Sequence, residues 1–142
     1  MRVIWRHFGM GLPLVAVALV AQDAYAAKLA SERLSLGFDD ASGGLADVVL
    51  PDDSADFVPT PASKPMLWEL HFRAAYGTEL RLSNAQVAAP QATQVGESLT
   101  LEWAKLALGD EADAIDVKVT CELPRDSDTS LLRISVDNRS AR

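Results

Sequence analysis

The chain contains one histidine after residue 26, His71, and histidine is the side chain that most often moves protons near neutral pH. A general base needs a nucleophile or a second titrating group within hydrogen-bond reach. His71 instead has the same parity as Glu69 and Arg73, and these three polar residues alternate with the apolar residues of the same run. This pattern predicts a solvent-facing histidine on a strand rather than a catalytic base.

Cys121 is the single cysteine of the chain, so no internal disulfide can form. A reactive thiol requires exposure and a cationic environment. Cys121 has the same parity as Val117 and Val119 in an alternating run, which predicts that it points into a core. The sequence also contains no G-x-S-x-G or H-E-x-x-H motif, and we therefore predict no catalytic residue in this chain.

Metal and cofactor sites are not predicted either. One cysteine and one histidine cannot supply the closed coordination of structural zinc. Calcium is an alternative for the acidic clusters, but none has EF-hand spacing and all lie in predicted turns, where aspartate forms local hydrogen bonds. Paired carboxylates for glycoside hydrolysis could come from the same residues, although spacing selects no pair. The clusters are 39–40, 52–56, 110–113 and 126–128.

Aromatic side chains could stack on sugar rings. Trp68 and Trp103 both fall on the apolar parity of their runs, which predicts core packing. Tyr76 lies in the turn AAYGT between two alternating runs and is the better placed of the three for exposure. It is the candidate carbohydrate-binding residue of the sequence.

The first 26 residues have the organisation of a secretory signal peptide. Arg2 and Arg6 precede the uncharged apolar run 8–21, and Ala24-Tyr25-Ala26 forms an A-x-A cleavage site. The apolar run is shorter than the ~20 residues that a membrane-spanning helix needs. We therefore predict a secreted or periplasmic protein whose mature part, residues 27–142, has no membrane association after cleavage.

The charge of the chain narrows its partners. The formal net charge is −7, and removing the basic leader makes the mature part more acidic still. Phosphate binding needs a basic patch, so nucleic acid and anionic membranes are poor partners.

Alternation of apolar and polar residues dominates the mature part and predicts an antiparallel β-sandwich. Residues 114–138 read as a hairpin around the polar turn PRDSDTS. Residues 98–108 fit a strand or a helix, and we favour a strand because Gly96 and Gly109 bracket them. A proline-rich loop is predicted over 51–65, only weak strand signal over 84–97, and a turn over 109–114. The remaining predicted strands are 28–38, 45–50, 66–73 and 79–83.

The order of these patterns resembles the N-terminal β-supersandwich, with galactose mutarotase-like fold, of secreted glycoside hydrolases. The resemblance covers roughly residues 29–140, and its motifs are strand patterns rather than catalytic signatures. They are GGLAD (43–47), PMLWELHFR (65–73), LTLEW (99–103), DVKVTCELP (116–124) and LLRISVDNRS (131–140).

This resemblance implies a non-catalytic N-terminal domain that supports a downstream catalytic domain in cis, within a glycoside hydrolase. None of the matching positions is catalytic in that family. A supersandwich has many more strands than we count here, so we expect an incomplete sandwich and an N-terminal fragment of a larger protein, with the last strand interior to a larger sheet. The alternatives are a free-standing carbohydrate-binding or adhesion module and a structural immunoglobulin-like envelope protein.

Overall fold

The computed structural model describes residues 25–51, 55–56, 65–73, 77 and 79–140. Within them the chain forms ten strands and one short 3-10 helix, Asn84–Gln86, and no helix there is long and apolar enough to cross a membrane. The strands are β1 (Tyr25–Ala30), β2 (Ser35–Asp39), β3 (Leu45–Leu50), β4 (Ala55–Asp56), β5 (Glu69–Arg73), β6 (Glu79–Ser83), β7 (Gln91–Val95), β8 (Ser98–Leu108), β9 (Glu111–Glu122) and β10 (Leu131–Asn138).

All strand pairs are antiparallel, and they form three sheets. The first sheet has the order β1-β2-β3-β4, the second β10-β9-β8-β7, and β5 with β6 forms a separate hairpin. Each strand pair joins two strands that are consecutive in the chain. The predicted all-β, sandwich-like fold class is confirmed.

One hydrophobic core joins the three sheets, and it follows the alternation seen in the sequence. Leu36 and Phe38 of β2 and Trp68, which precedes β5, are buried in the same cluster as the inward residues of β8 and β9. Those inward residues are Leu99, Leu101, Trp103, Ile115, Val117, Val119 and Cys121. Residues 98–108 are thus a strand, and the helix alternative for them is wrong.

Several predicted boundaries differ from the structure. The predicted strand 28–38 is split into β1 and β2, because the Ser31 hydroxyl accepts a hydrogen bond from Leu34 N and closes a turn. The segment 84–97 contains β7, whose residues are all exposed and therefore show no apolar alternation. The turn predicted over 109–114 is shorter, since β9 already begins at Glu111. The structure does not describe most of the loop predicted over 51–65.

The β8–β9 pair contains a bulge in which the register shifts between Trp103 and Leu106. Lys105 lies in this bulge with φ of 57°, and its N–H donates to Asp116 Oδ1 at 2.6 Å. Arg139 donates to the same oxygen at 2.8 Å. The hydrogen bond from Arg139, followed by that from Lys105 N, holds the pKa of Asp116 below its ordinary value.

A buried polar cluster, which we call the junction, links the first sheet to the segment before β5. It is centred on Asn84, which is fully buried. Asn84 Oδ1 accepts hydrogen bonds from Leu67 N at 2.8 Å and Trp68 N at 3.1 Å. Asn84 Nδ2 donates to Pro65 O at 2.9 Å and Ser42 O at 3.3 Å. One side chain therefore satisfies four main-chain groups from separate parts of the chain.

The β2–β3 turn packs against the junction so closely that two positions accept only glycine. A Cβ on Gly43 would lie 2.6 Å from Pro90 Cγ and 2.7 Å from Trp103 Cζ2. A Cβ on Gly44 would lie 1.8 Å from the carbonyl oxygen of Pro65. The glycines of this turn thus permit close approach between the first sheet and its neighbours.

β10 is an edge strand of the second sheet in the described part of the chain. The sequence predicts an interior strand of a larger sheet, whereas β10 has β9 alone as a neighbour here. Its residues are all exposed, although half of them share a face with the buried residues of β9.

Candidate binding cleft beside the β5–β6 hairpin

A cleft of about 240 Å³ opens where the β5–β6 hairpin meets the ends of β8 and β10. We call it the binding cleft. Its walls combine three apolar side chains with groups that can donate or accept hydrogen bonds. The lining residues are His71, Phe72, Arg73, Leu80, Leu108, Asn138 and Ser140.

The apolar part of the cleft comes from three strands. Phe72 and Leu80 face each other across the β5–β6 pair and are half-buried, while Leu108 at the end of β8 is buried. Alternation along β5 places His71 and Arg73 on the opposite parity from Phe72. The cleft therefore lies at the edge of the hairpin, where side chains from both of its faces can reach one space.

His71 is exposed and paired with an acidic neighbour on the same face of β5. Its Nε2 lies 2.5 Å from Glu69 Oε1. The predicted solvent-facing position of His71 is confirmed. Among the described residues, the hydrogen-bond partner of the imidazole is the Glu69 carboxylate and not a hydroxyl or a thiol.

The end of β10 supplies a second polar wall of the cleft. Asn138 Oδ1 accepts hydrogen bonds from Ser140 N at 3.0 Å and from Ser140 Oγ at 2.7 Å. This local turn fixes both side chains at the end of the strand. Asn138 Nδ2 has no partner among the described residues and can donate to a ligand in the cleft.

Arg73 provides the formal positive charge of the cleft. Within the described residues its guanidinium forms neither a hydrogen bond nor an ion pair, unlike Arg81 on β6, which lies 3.6 Å from Glu79. A guanidinium has five N–H donors in a planar arrangement that suits hydroxyl and carboxylate oxygens. Arg73 can therefore bind a ligand without breaking an existing contact.

Trp68 and Trp103, two of the aromatic residues singled out in the sequence, do not line the cleft. Trp68 and Trp103 are buried and pack edge to face, with ring centroids 5.4 Å apart at 83°, which confirms core packing. Tyr76, the predicted carbohydrate-binding residue, lies outside the described residues. The cleft could not be predicted from the sequence. Leu108, Asn138 and Ser140 are far from His71 along the chain, and only the arrangement of the sheets brings them together.

Of the residues in the acidic clusters, Asp39 stabilises the β2–β3 turn, whereas Glu111 and Asp113 lie in β9 rather than in the predicted turn. Asp39 Oδ2 accepts hydrogen bonds from the N–H groups of Ala41 and Ser42 and from the Ser42 hydroxyl. No group of three or more histidine, cysteine, aspartate or glutamate side chains in the described part of the chain is arranged to hold a metal ion.

Cys121 is buried, as its parity predicts, and burial raises the pKa of its thiol from 9.0 to about 11, with a smaller contribution from the Glu122 carboxylate. At pH 8 the thiolate fraction is then about 100-fold lower than in the unfolded chain. We expect iodoacetamide to alkylate native Cys121 at least about 100-fold more slowly than in urea, as measured by mass spectrometry. A Thr129→Cys variant supplies an exposed control thiol. Equal rates for native and unfolded Cys121 would contradict this prediction.

Comparisons with family models, with curated protein sequences and with solved structures gave no significant match. The resemblance to a galactose mutarotase-like domain therefore stays a prediction from the sequence, and function has to be argued from the cleft.

Proposed function

We propose that this protein is a non-catalytic β-sandwich module of an exported carbohydrate-active enzyme, and that it binds one sugar ring in the binding cleft. A catalytic domain downstream in cis is the partner that this proposal implies. The observation that supports it best is the composition of the cleft, in which hydrogen-bonding side chains surround an apolar wall.

The chemistry of a sugar ring suits this arrangement. A pyranose presents hydroxyl groups around its rim and C–H groups on its faces, so it needs polar partners in a ring and an apolar surface beneath. Arg73 and Asn138 supply donors, the His71 imidazole supplies a ring nitrogen, and Phe72 supplies an aromatic surface. The volume of about 240 Å³ is sufficient for one ring rather than for a long oligosaccharide.

A glycan array probed with the labelled, exported protein tests this proposal. We expect binding to a limited set of glycans. Arg73→Gln should raise the dissociation constant for the tightest-binding glycan by about 10-fold, because a hydrogen bond to a charged group contributes about 1.5 kcal/mol or more. Arg81→Gln is the matched control, because Arg81 lies opposite His71 on the adjacent strand but does not line the cleft. Absence of glycan binding, or equal losses in both variants, would count against the proposal.

A further inference from the structure

The exposed face of β10 continues the buried face of β9. Leu132, Ile134 and Val136 lie opposite Cys121, Val119 and Val117, which are buried. The three β10 side chains are nevertheless 37%, 49% and 40% exposed. Among the described residues, the core-facing side of the second sheet therefore ends in an exposed apolar stripe, which we call the β10 stripe.

In the described part of the chain the outer edge of β10 is unpaired, and the β9–β10 hydrogen-bond pattern determines which of its backbone groups point outward. Arg139 N donates to Ala114 O at 2.8 Å, which marks a hydrogen-bonded pair at the end of the β9–β10 ladder. Such pairs alternate along antiparallel strands, so residues 137, 135, 133 and 131 point their backbone groups toward β9. The N–H and C=O groups of residues 132, 134, 136 and 138 consequently point away from the sheet.

β10 lacks a bulge, a proline and a lysine, and the charged residues it carries are Arg133 and Asp137. It pairs with β9 over eight consecutive residues without a register shift. It contains no proline and no lysine, the residues that most often block an edge. A long, regular edge strand beside an apolar stripe favours the addition of another strand.

We propose that β10 pairs with β10 of a second copy, antiparallel and about a two-fold axis at Ser135, to form a homodimer with a continuous sheet. In this register Ile134 lies opposite Val136 of the second copy, and Arg133 lies opposite Asp137 of the second copy. The apolar stripes of the two copies join on one face, and two pairs of opposite charges form on the other. The outward backbone groups of both strands then meet in about eight hydrogen bonds.

Charge complementarity selects this register and this occupant. Registers that keep the apolar side chains of both strands on one face differ by a shift of two residues. Each such shift moves the two-fold axis by one residue along β10. A two-fold axis at Ile134 places Leu131 opposite Asp137, and an axis at Val136 places Arg133 opposite Arg139, so both lose the favourable pairs. The axis at Ser135 places two pairs of opposite charges directly across the interface. Such pairs stabilise adjacent strands, whereas like charges in the same positions would destabilise them. A strand whose own sequence is self-complementary is suited to a second copy of itself.

A charge-swap experiment tests the interface. Analytical ultracentrifugation of the intact protein should show a reversible monomer–dimer equilibrium. Arg133→Asp and Asp137→Arg should each raise the dimer dissociation constant by about 10-fold or more, because like charges then face each other. The double variant should recover dimerisation. Thermal unfolding of each variant separates loss of pairing from loss of folding, since Arg133 also bonds Glu122 within the chain at 2.6 Å.

A second test uses the two-fold axis itself. Ser135→Cys places two thiols opposite each other at a non-hydrogen-bonded pair, where Cα atoms lie about 4.5 Å apart, a distance that a disulfide spans. Mild oxidation should convert this variant to a covalent dimer. Leu131→Cys is the matched control on the same face, because its copies would lie about 27 Å apart. A monomer at all concentrations, open-ended aggregates, a dimer insensitive to charge reversal, or equal cross-linking of both cysteine variants would overturn the proposal. The dimer does not depend on sugar binding, and its failure leaves the cleft proposal standing.

Discussion

Replacing Asn84 with leucine is expected to lower the free energy of unfolding by about 3–5 kcal/mol. Leucine has the same number and branching of side-chain heavy atoms but cannot form the four hydrogen bonds that Asn84 makes with Leu67, Trp68, Pro65 and Ser42. Each buried main-chain group that is left without a partner costs about 1–3 kcal/mol. The loss therefore comes from the unpaired backbone and not from the asparagine side chain alone.

Urea denaturation followed by tryptophan fluorescence measures this loss. Trp68 lies beside the junction and should report its disruption directly. Asn138→Leu is the matched control, because Asn138 is exposed and its substitution should change the free energy of unfolding by no more than about 0.5 kcal/mol. Similar losses of unfolding free energy in both variants would show that the buried hydrogen bonds of the junction stabilise the protein no more than those of an exposed asparagine.

Replacing Gly44 with alanine is expected to destabilise the protein by about 3 kcal/mol or more. The added Cβ would lie 1.8 Å from the carbonyl oxygen of Pro65 and 2.4 Å from its carbonyl carbon, both of which are main-chain atoms. A rotamer change cannot relieve contact with backbone, so either the β2–β3 turn or the segment at Pro65 must move. That movement also separates Asn84 from its partners.

Gly96 provides the control for this prediction. Gly96 has φ of 58°, and a Cβ there would meet nothing within 4 Å. Gly96→Ala therefore measures the cost of the left-handed backbone conformation alone, about 1 kcal/mol. Thermal unfolding followed by circular dichroism should give Gly44→Ala a clearly lower melting temperature than Gly96→Ala. A smaller effect at Gly44 would mean that the junction is less tightly packed than its geometry indicates.

The strands of this fold were predictable wherever one face is buried. The alternation in β8 and β9 identified both strands and the burial of Cys121, because burial of one face imposes a period of two on the sequence. β10 alternates as well, although its residues are exposed, and its apolar side continues the buried face of β9. β7 gave no such signal, since both of its faces are exposed. The turn at Ser31 was missed because hydrogen bonds between Ser31 and residues 33 and 34, rather than a glycine or proline, interrupt the strand there.

The candidate site and the junction were beyond sequence reasoning for a different reason. Asn84 lies in a segment of small and polar residues and has no pattern that distinguishes it from a loop asparagine. Its partners are as far away as Ser42, and only the arrangement of the sheets brings them together. Likewise, His71 could be placed on a strand from the sequence, but its proximity to Asn138 depends on how the hairpin packs against the second sheet.

The junction also has a consequence for the geometry between the layers. Apolar contact is non-directional, so two sheets held only by leucine and valine can slide or rotate over each other at little cost. Hydrogen bonds have narrow limits of length and angle. Asn84 is fixed to the segment that enters β5 and also bonds Ser42 of the β2–β3 turn, so translation of one against the other breaks the Asn84–Ser42 bond and the bond from Ser42 Oγ to Pro65 O. These directional bonds favour one alignment of the two parts.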